Sequence, residues 1–205
     1  DYPLKDTIAI RHVNAPVFGR TAIADLTGHF LPDIVGIVSD GATPTLRTGF
    51  VASAPAVHCS AQPMPGLGTL VLNDLAVLRG GDTRDGRDAL ALATDGGLYF
   101  WTSDGSKARL GGNVWNNATM VRTGQADADT VEDIVGLMAN GNLRCYARGS
   151  GQSGWFVNTG AQVLDFALMD WCYNPNGQRD EVVFAHADKI GIVVGLLTGA
   201  TLYPV

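Results

Sequence analysis

The sequence predicts an all-β fold assembled from about four copies of one structural unit. Three observations carry this. First, one phrase recurs four times: Asp33-Ile-Val-Gly-Ile-Val-Ser-Asp40-Gly41, Asp88-Ala-Leu-Ala-Leu-Ala-Thr-Asp95-Gly96, Asp133-Ile-Val-Gly-Leu-Met-Ala-Asn140-Gly141 and, more loosely, Asp180-Glu-Val-Val-Phe-Ala-His-Ala-Asp188. An acid opens each copy, a small and apolar run follows, and a turn pair closes the first three. Second, the apolar runs are short and broken by Gly, Asn, Asp and Pro, as in Thr69-Leu-Val-Leu72, Leu98-Tyr-Phe-Trp101 and Leu143-Arg-Cys-Tyr146. Third, 26 glycines and 9 prolines supply many tight turns, and no stretch keeps a helical period with capping signals.

Each unit divides in the same order. A lead-in strand comes first: Thr21–Ala24, Leu75–Leu78, Thr119–Arg122 and Asp165–Leu168. An acidic loop follows, then the anchor Asp, then a strand whose apolar run reads as buried. Asp-Gly or Asn-Gly predicts a hairpin into the next strand. A variable outer strand completes the unit. The anchors Asp33, Asp88, Asp133 and Asp180 lie 55, 45 and 47 residues apart. Three or four antiparallel strands in about 50 residues is the size of one β-propeller blade. The expectation is therefore one domain over residues 1–205, a propeller of about four blades. The stretch from Asp180 through Val205 and on to Asp33 is about one more blade-length, so the N-terminal strands Thr7–Arg11 and Thr21–Ala24 are expected to close the last blade and remove its open edge. Two chains pairing into a larger ring is the alternative. The stretch between Phe50 and Leu67, with three prolines, reads as a long insertion: either a function-bearing loop or a spacer crossing the ring.

Composition bounds function. The chain has 205 residues, 46% of them hydrophobic and 17% charged, which describes a globular protein. A net charge of -6 and the lack of a Lys/Arg cluster argue against nucleic-acid binding. The longest apolar run, Ile190–Leu197, is far below the roughly 20 residues of a membrane-spanning helix. Start at Asp1 suits either a processed product or a trimmed chain. Cys59, Cys145 and Cys172 follow no metal spacing, and they allow one disulfide with one free thiol or three thiols. His12, His29, His58 and His186 form no HxH or HExxH pattern. Asn117-Ala118-Thr119 is a glycosylation sequon.

The acidic loops carry a resemblance. Gly81-Asp82-Thr-Arg-Asp85-Gly86-Arg87-Asp88-Ala-Leu resembles the FG-GAP/VCBS repeat, in which Gly-Asp leads through an Asp/Asn/Gly-rich loop to an Asp and a buried strand. Ala24-Asp25 to Asp33-Ile-Val, Asp127-Ala-Asp129 to Asp133-Ile-Val, and Asn174-Pro-Asn176-Gly177 to Asp180 are similar to it. The resemblance covers nearly the whole chain. It implies a propeller, often with calcium in the blade loops, and relatives among integrin-like adhesion heads, lectins and non-catalytic propellers of secreted proteins. Calcium takes six to eight oxygens, several from carboxylates of one tight loop. Asp127, Asp129 and Asp133 meet that need best. The competing role for these acids is to cap turn N–H groups without metal.

Aromatic rings beside amides suit sugar, because a ring stacks on a pyranose face while amides bond its hydroxyls. Trp101, Trp115 with Asn116, and Trp155 with Asn158 are the candidate ligand residues, against a competing role in packing between blades. The resulting expectation is a non-catalytic, extracellular or secreted recognition module that binds glycan or glycoprotein. It has two rivals: a protein-binding or assembly module of an adhesin or toxin, and a polysaccharide-active enzyme with its site at the ring mouth. No nucleophile elbow or P-loop appears, and no carboxylate pair is singled out.

Overall fold

The structure is a computed structural model. It describes residues 20–26, 28, 33–38, 45–51, 57–63, 70–81, 86–127, 129–159, 162–169, 180–185, 190–194 and 201–204, some of them through the backbone alone. These residues form four antiparallel sheets of four strands each. The first holds β1 (Arg20–Ala24), β2 (Asp33–Val38), β3 (Thr45–Val51) and β4 (Val57–Pro63). The second holds β5 (Leu72–Leu78), β6 (Ala89–Thr94), β7 (Gly97–Trp101) and β8 (Lys107–Leu110). A single 3-10 turn, Gly112–Trp115, leads to the third sheet: β9 (Ala118–Gly124), β10 (Asp133–Met138), β11 (Leu143–Ala147) and β12 (Gln152–Val157). The fourth holds β13 (Asp165–Met169), β14 (Glu181–Ala185), β15 (Ile190–Val194) and β16 (Thr201–Pro204). Every sheet is an up-and-down meander in chain order.

The repeat phrase maps onto one place in each sheet. Asp33 and Asp133 open β2 and β10, and Asp88 and Asp180 stand one residue before β6 and β14. All four lead-in strands form, as β1, β5, β9 and β13. The two turn pairs that fall within the described residues make hairpins. Thr94 pairs with Gly97 across Asp95-Gly96. Gly141 takes a left-handed φ of 83°, which glycine adopts without strain, and its N–H donates to Met138 O at 2.8 Å.

Two expectations need correction. The Thr21–Ala24 strand does not complete the last sheet; β1 pairs with β2, with Ala24 opposite Asp33. The fourth sheet fills its outer position from its own C-terminal strand, β16, which pairs with β15. Thr7–Arg11 lies outside the described residues. The supposed insertion after Phe50 contains β4, an ordinary outer strand that pairs with β3 and places His58 opposite Phe50. Its prolines misled the reading, although Pro63 ends the strand at a sheet edge, where a missing N–H is tolerated.

Why the central runs are small and apolar follows from packing. β6 and β10 are buried at every position. Side chains alternate faces along a strand, and the cores divide accordingly. Leu90 and Leu92 of β6 join Ala24, Leu26 and Val35 of the first sheet region, together with Leu75 and Trp101. Ala89, Ala91 and Ala93, on the opposite face, join Trp115, Ile134, Met138 and Tyr146 toward the third sheet. Val135 and Leu137 of β10 turn the other way and meet Phe166, Val182 and Phe184 of the fourth. β6 and β10 are thus each shared between two neighbouring cores. Burying each Leu or Phe there contributes about 1.5–3 kcal/mol. The first strands also pack in succession, β1 on β5, β5 on β9 and β9 on β13.

Candidate functional site

The acidic loop between β9 and β10 is held by its own carboxylates. Asp127 Oδ1 accepts the Asp129 N–H at 2.8 Å, and Asp129 Oδ1 accepts the Val131 N–H at 2.7 Å. Asp133, fully buried at the head of β10, accepts the N–H of Asp127 at 2.9 Å and of Arg148 at 3.0 Å. Gly149 lies against Asp129 Oδ2, where a Cβ would not fit. One carboxylate oxygen from each of the three acids lies within 4.8 Å of the others. Four main-chain donors face three carboxylates with about four lone-pair sites each. The donor set therefore fits a hard cation, with main-chain carbonyls or water completing the shell. Burial, helped by the charges of Asp127 and Asp129, pushes Asp133 up to about 6. Burial also raises Glu132 above the ordinary carboxylate range.

Asp88 and Asp180 pin one sheet to the next. Asp88 Oδ2 accepts the N–H of Asp25, just past β1, at 2.8 Å, while its own N–H donates to Asp25 O at 2.9 Å. Asp180 repeats this with Gln125, just past β9, at 2.8 and 2.6 Å. At the matching junction past β5, the Arg79 N–H is held by Glu132 Oε2 at 2.6 Å, leaving Asp133 to its own loop. The acids at Asp88 and Asp180 are explained by this contact, because each satisfies a main-chain donor that a strand end would otherwise leave without a partner. Further pins lie along the first strands. Asp74, 1% exposed, meets Arg122 Nη1 at 2.8 Å, and Arg122 Nη2 meets Asp165 at 2.8 Å, linking β5, β9 and β13. Sequence reasoning placed Glu132 only beside the acidic loop and missed the pinning roles of Glu132 and Arg122. Their partners lie 43 to 53 residues away, so only the repeat alignment could have hinted at them.

The candidate sugar platforms fare differently. Trp101 is 2% exposed in the core between the first two sheets, and Trp115 is fully buried between the second and third. Both indole N–H groups are buried without a partner among the described residues. Their role is therefore packing, and the stacking assigned to them is corrected. Trp115 was drawn inward because Gly136 of β10 leaves the space that its six-membered ring fills. Trp155 lies on β12, described through its backbone alone. Asn158 is exposed just past that strand. Asn116 is exposed, and its Oδ1, with that of Asn113, accepts from Arg109 Nη2 at 2.6 and 3.2 Å. Phe156, 47% exposed on β12, has the Arg144 guanidinium 4.6 Å from its ring centroid. Cys145 is a free, buried thiol, pushed up by burial. His12, His29, His186 and Cys172 lie outside the described residues. No helix among the described residues is long and apolar enough to cross a membrane.

No family model matches the chain, and no curated protein matches it. Solved structures similar to it include BBS1N in complex with ARL6DN, from crystals soaked with lead and with mercury. Identities are 12% and 13%, covering 93% of this chain and 84% and 83% of those chains. The TM-score is 0.36 in both, too low to bear on architecture or partner.

Proposed function

We propose that the four sheets are blades of a β-propeller and that the chain is a non-catalytic recognition module working outside the cell on a protein or glycoprotein surface. The meander order of each sheet and the succession of first strands support the propeller. The repeat acids support a scaffold role, because Asp88, Asp133 and Asp180 spend their oxygens on main-chain donors. The observation that carries the partner is Phe156 under Arg144 on the third sheet. An exposed aromatic fixed by a guanidinium is the composition of an interface anchor. The test is binding of labelled protein to cells, compared with Phe156→Ala and with cells pretreated with protease or glycosidase. Protease-sensitive binding that falls at least tenfold in the variant is expected, about 1.4 kcal/mol. A variant that binds like the parent sinks this reading.

A second reading keeps glycan as the ligand. Arg109 Nη2 donates to the Oδ1 atoms of both Asn113 and Asn116, two exposed residues whose amide N–H2 groups are the donors for a sugar. Binding on a glycan array, abolished by a free sugar and by Arg109→Ala, would establish it. In either reading, calcium held by Asp127, Asp129 and Asp133 would add to a loop that its own hydrogen bonds already shape.

A further inference from the structure

We propose that Asn117 is an acceptor for an N-linked glycan. Asn117-Ala118-Thr119 is the one Asn-x-Ser/Thr triplet in the sequence, and the fold presents it in a way the triplet alone could not foretell. Asn117 sits at the turn between the 3-10 segment and β9 with φ 64°, a left-handed conformation that asparagine tolerates better than most residues. Its backbone is fully used. The Asn117 N–H donates to Asp95 O at 3.1 Å, and its carbonyl accepts the Ala139 N–H at 3.0 Å. Its side chain is exposed and makes no hydrogen bond among the described residues. Folding then occupies the next two residues. Ala118 is fully buried, and Thr119 Oγ1 donates to Leu137 O at 3.0 Å. A sugar attached to the unfolded chain would therefore stay outside when β9 joins its sheet, and it would displace no native contact of the amide.

The transfer needs a lipid-pyrophosphate-linked oligosaccharide and its transferase. The Asn117 Nδ2–C1 glycosidic bond forms, the C1–O bond to pyrophosphate breaks, the lipid pyrophosphate leaves, and one amide proton is lost to base. Thr119 supplies the hydroxyl that makes the triplet a substrate.

The test is secretion of the whole chain from glycosylating eukaryotic cells, or its translation with endoplasmic-reticulum microsomes should export fail. Intact mass is read before and after peptide amidase. The expected product carries one glycan, and its removal converts Asn117 to Asp. Asn117→Gly, which suits the positive φ, should fold and carry no glycan, while Thr119→Ser should retain it. An unmodified parent chain in both systems, or a glycan persisting in Asn117→Gly, overturns the proposal. Its failure would leave the recognition reading untouched, since no part of that reading uses Asn117.

Discussion

Replacing Asp88 by Ala removes the acceptor for three donors at once: Asp25 N–H at 2.8 Å, Gly80 N–H at 2.9 Å and Arg79 Nη1 at 2.8 Å. The three do not count equally. The Arg79 side chain is 62% exposed, so its ion pair is screened and contributes well under about 1 kcal/mol. Gly80 is exposed, and water can replace its acceptor. The Asp25 N–H sits at the junction of two sheets, where losing a charged acceptor costs about 1.5–3 kcal/mol. The sum is about 2–4 kcal/mol, or a fall in Tm of roughly 4–16 °C for a chain of this size. Urea unfolding followed by tryptophan fluorescence reads it, with Trp101 and Trp115 as buried reporters. Asp88→Asn, which keeps one carbonyl oxygen, should lose about half as much. The loss should be the same in calcium and in EDTA, since the acid works on main-chain donors. A loss below about 0.5 kcal/mol, or one that disappears in EDTA, would refute the pinning argument.

Three further outcomes are expected. Asp133 has a folded pKa of about 6, above the ordinary value of 3.8, so the folded state binds the extra proton between those values. Its contribution is favourable at low pH and is lost as pH rises through about 6, by about 1–3 kcal/mol. Denaturant midpoints on either side of that pKa should show this fall in the parent chain and a smaller one in Asp133→Asn, where Glu132 alone keeps its raised value. Gly136→Ala puts a methyl into the ring of Trp115 and should destabilise by about 1–3 kcal/mol without affecting titration of the acidic loop; an unchanged Tm would contradict the packing described. Calorimetric titration with calcium should show one ion per chain, bound at least tenfold more weakly by Asp129→Asn, and no heat in the parent chain would remove the metal from the loop.

Much of the fold was legible because its determinants are local. The positions of the anchor acids, the lead-in strands and the Asp95-Gly96 and Asn140-Gly141 turns depend on residues within one unit, and the repeat displays them several times. Strand pairing at the ends was not legible. Length arithmetic allowed β1 to serve the last sheet, but its pairing with β2 is set by a connection within its own unit. Tryptophan placement failed for a different reason. Trp115 beside Asn116 and Asn117 looks like a surface cluster in one dimension, yet the missing Cβ of Gly136 opens a slot for the ring on a neighbouring sheet.

By itself the sequence determined the all-β class, the repeated unit and its buried strand, because apolar runs and turn chemistry act over a few residues. The tertiary structure alone decided which acid holds which main-chain donor and which aromatics remain outside. The choices made between sheets join residues 47 to 63 apart, and their energy exists only once two sheets meet and water leaves the gap between them.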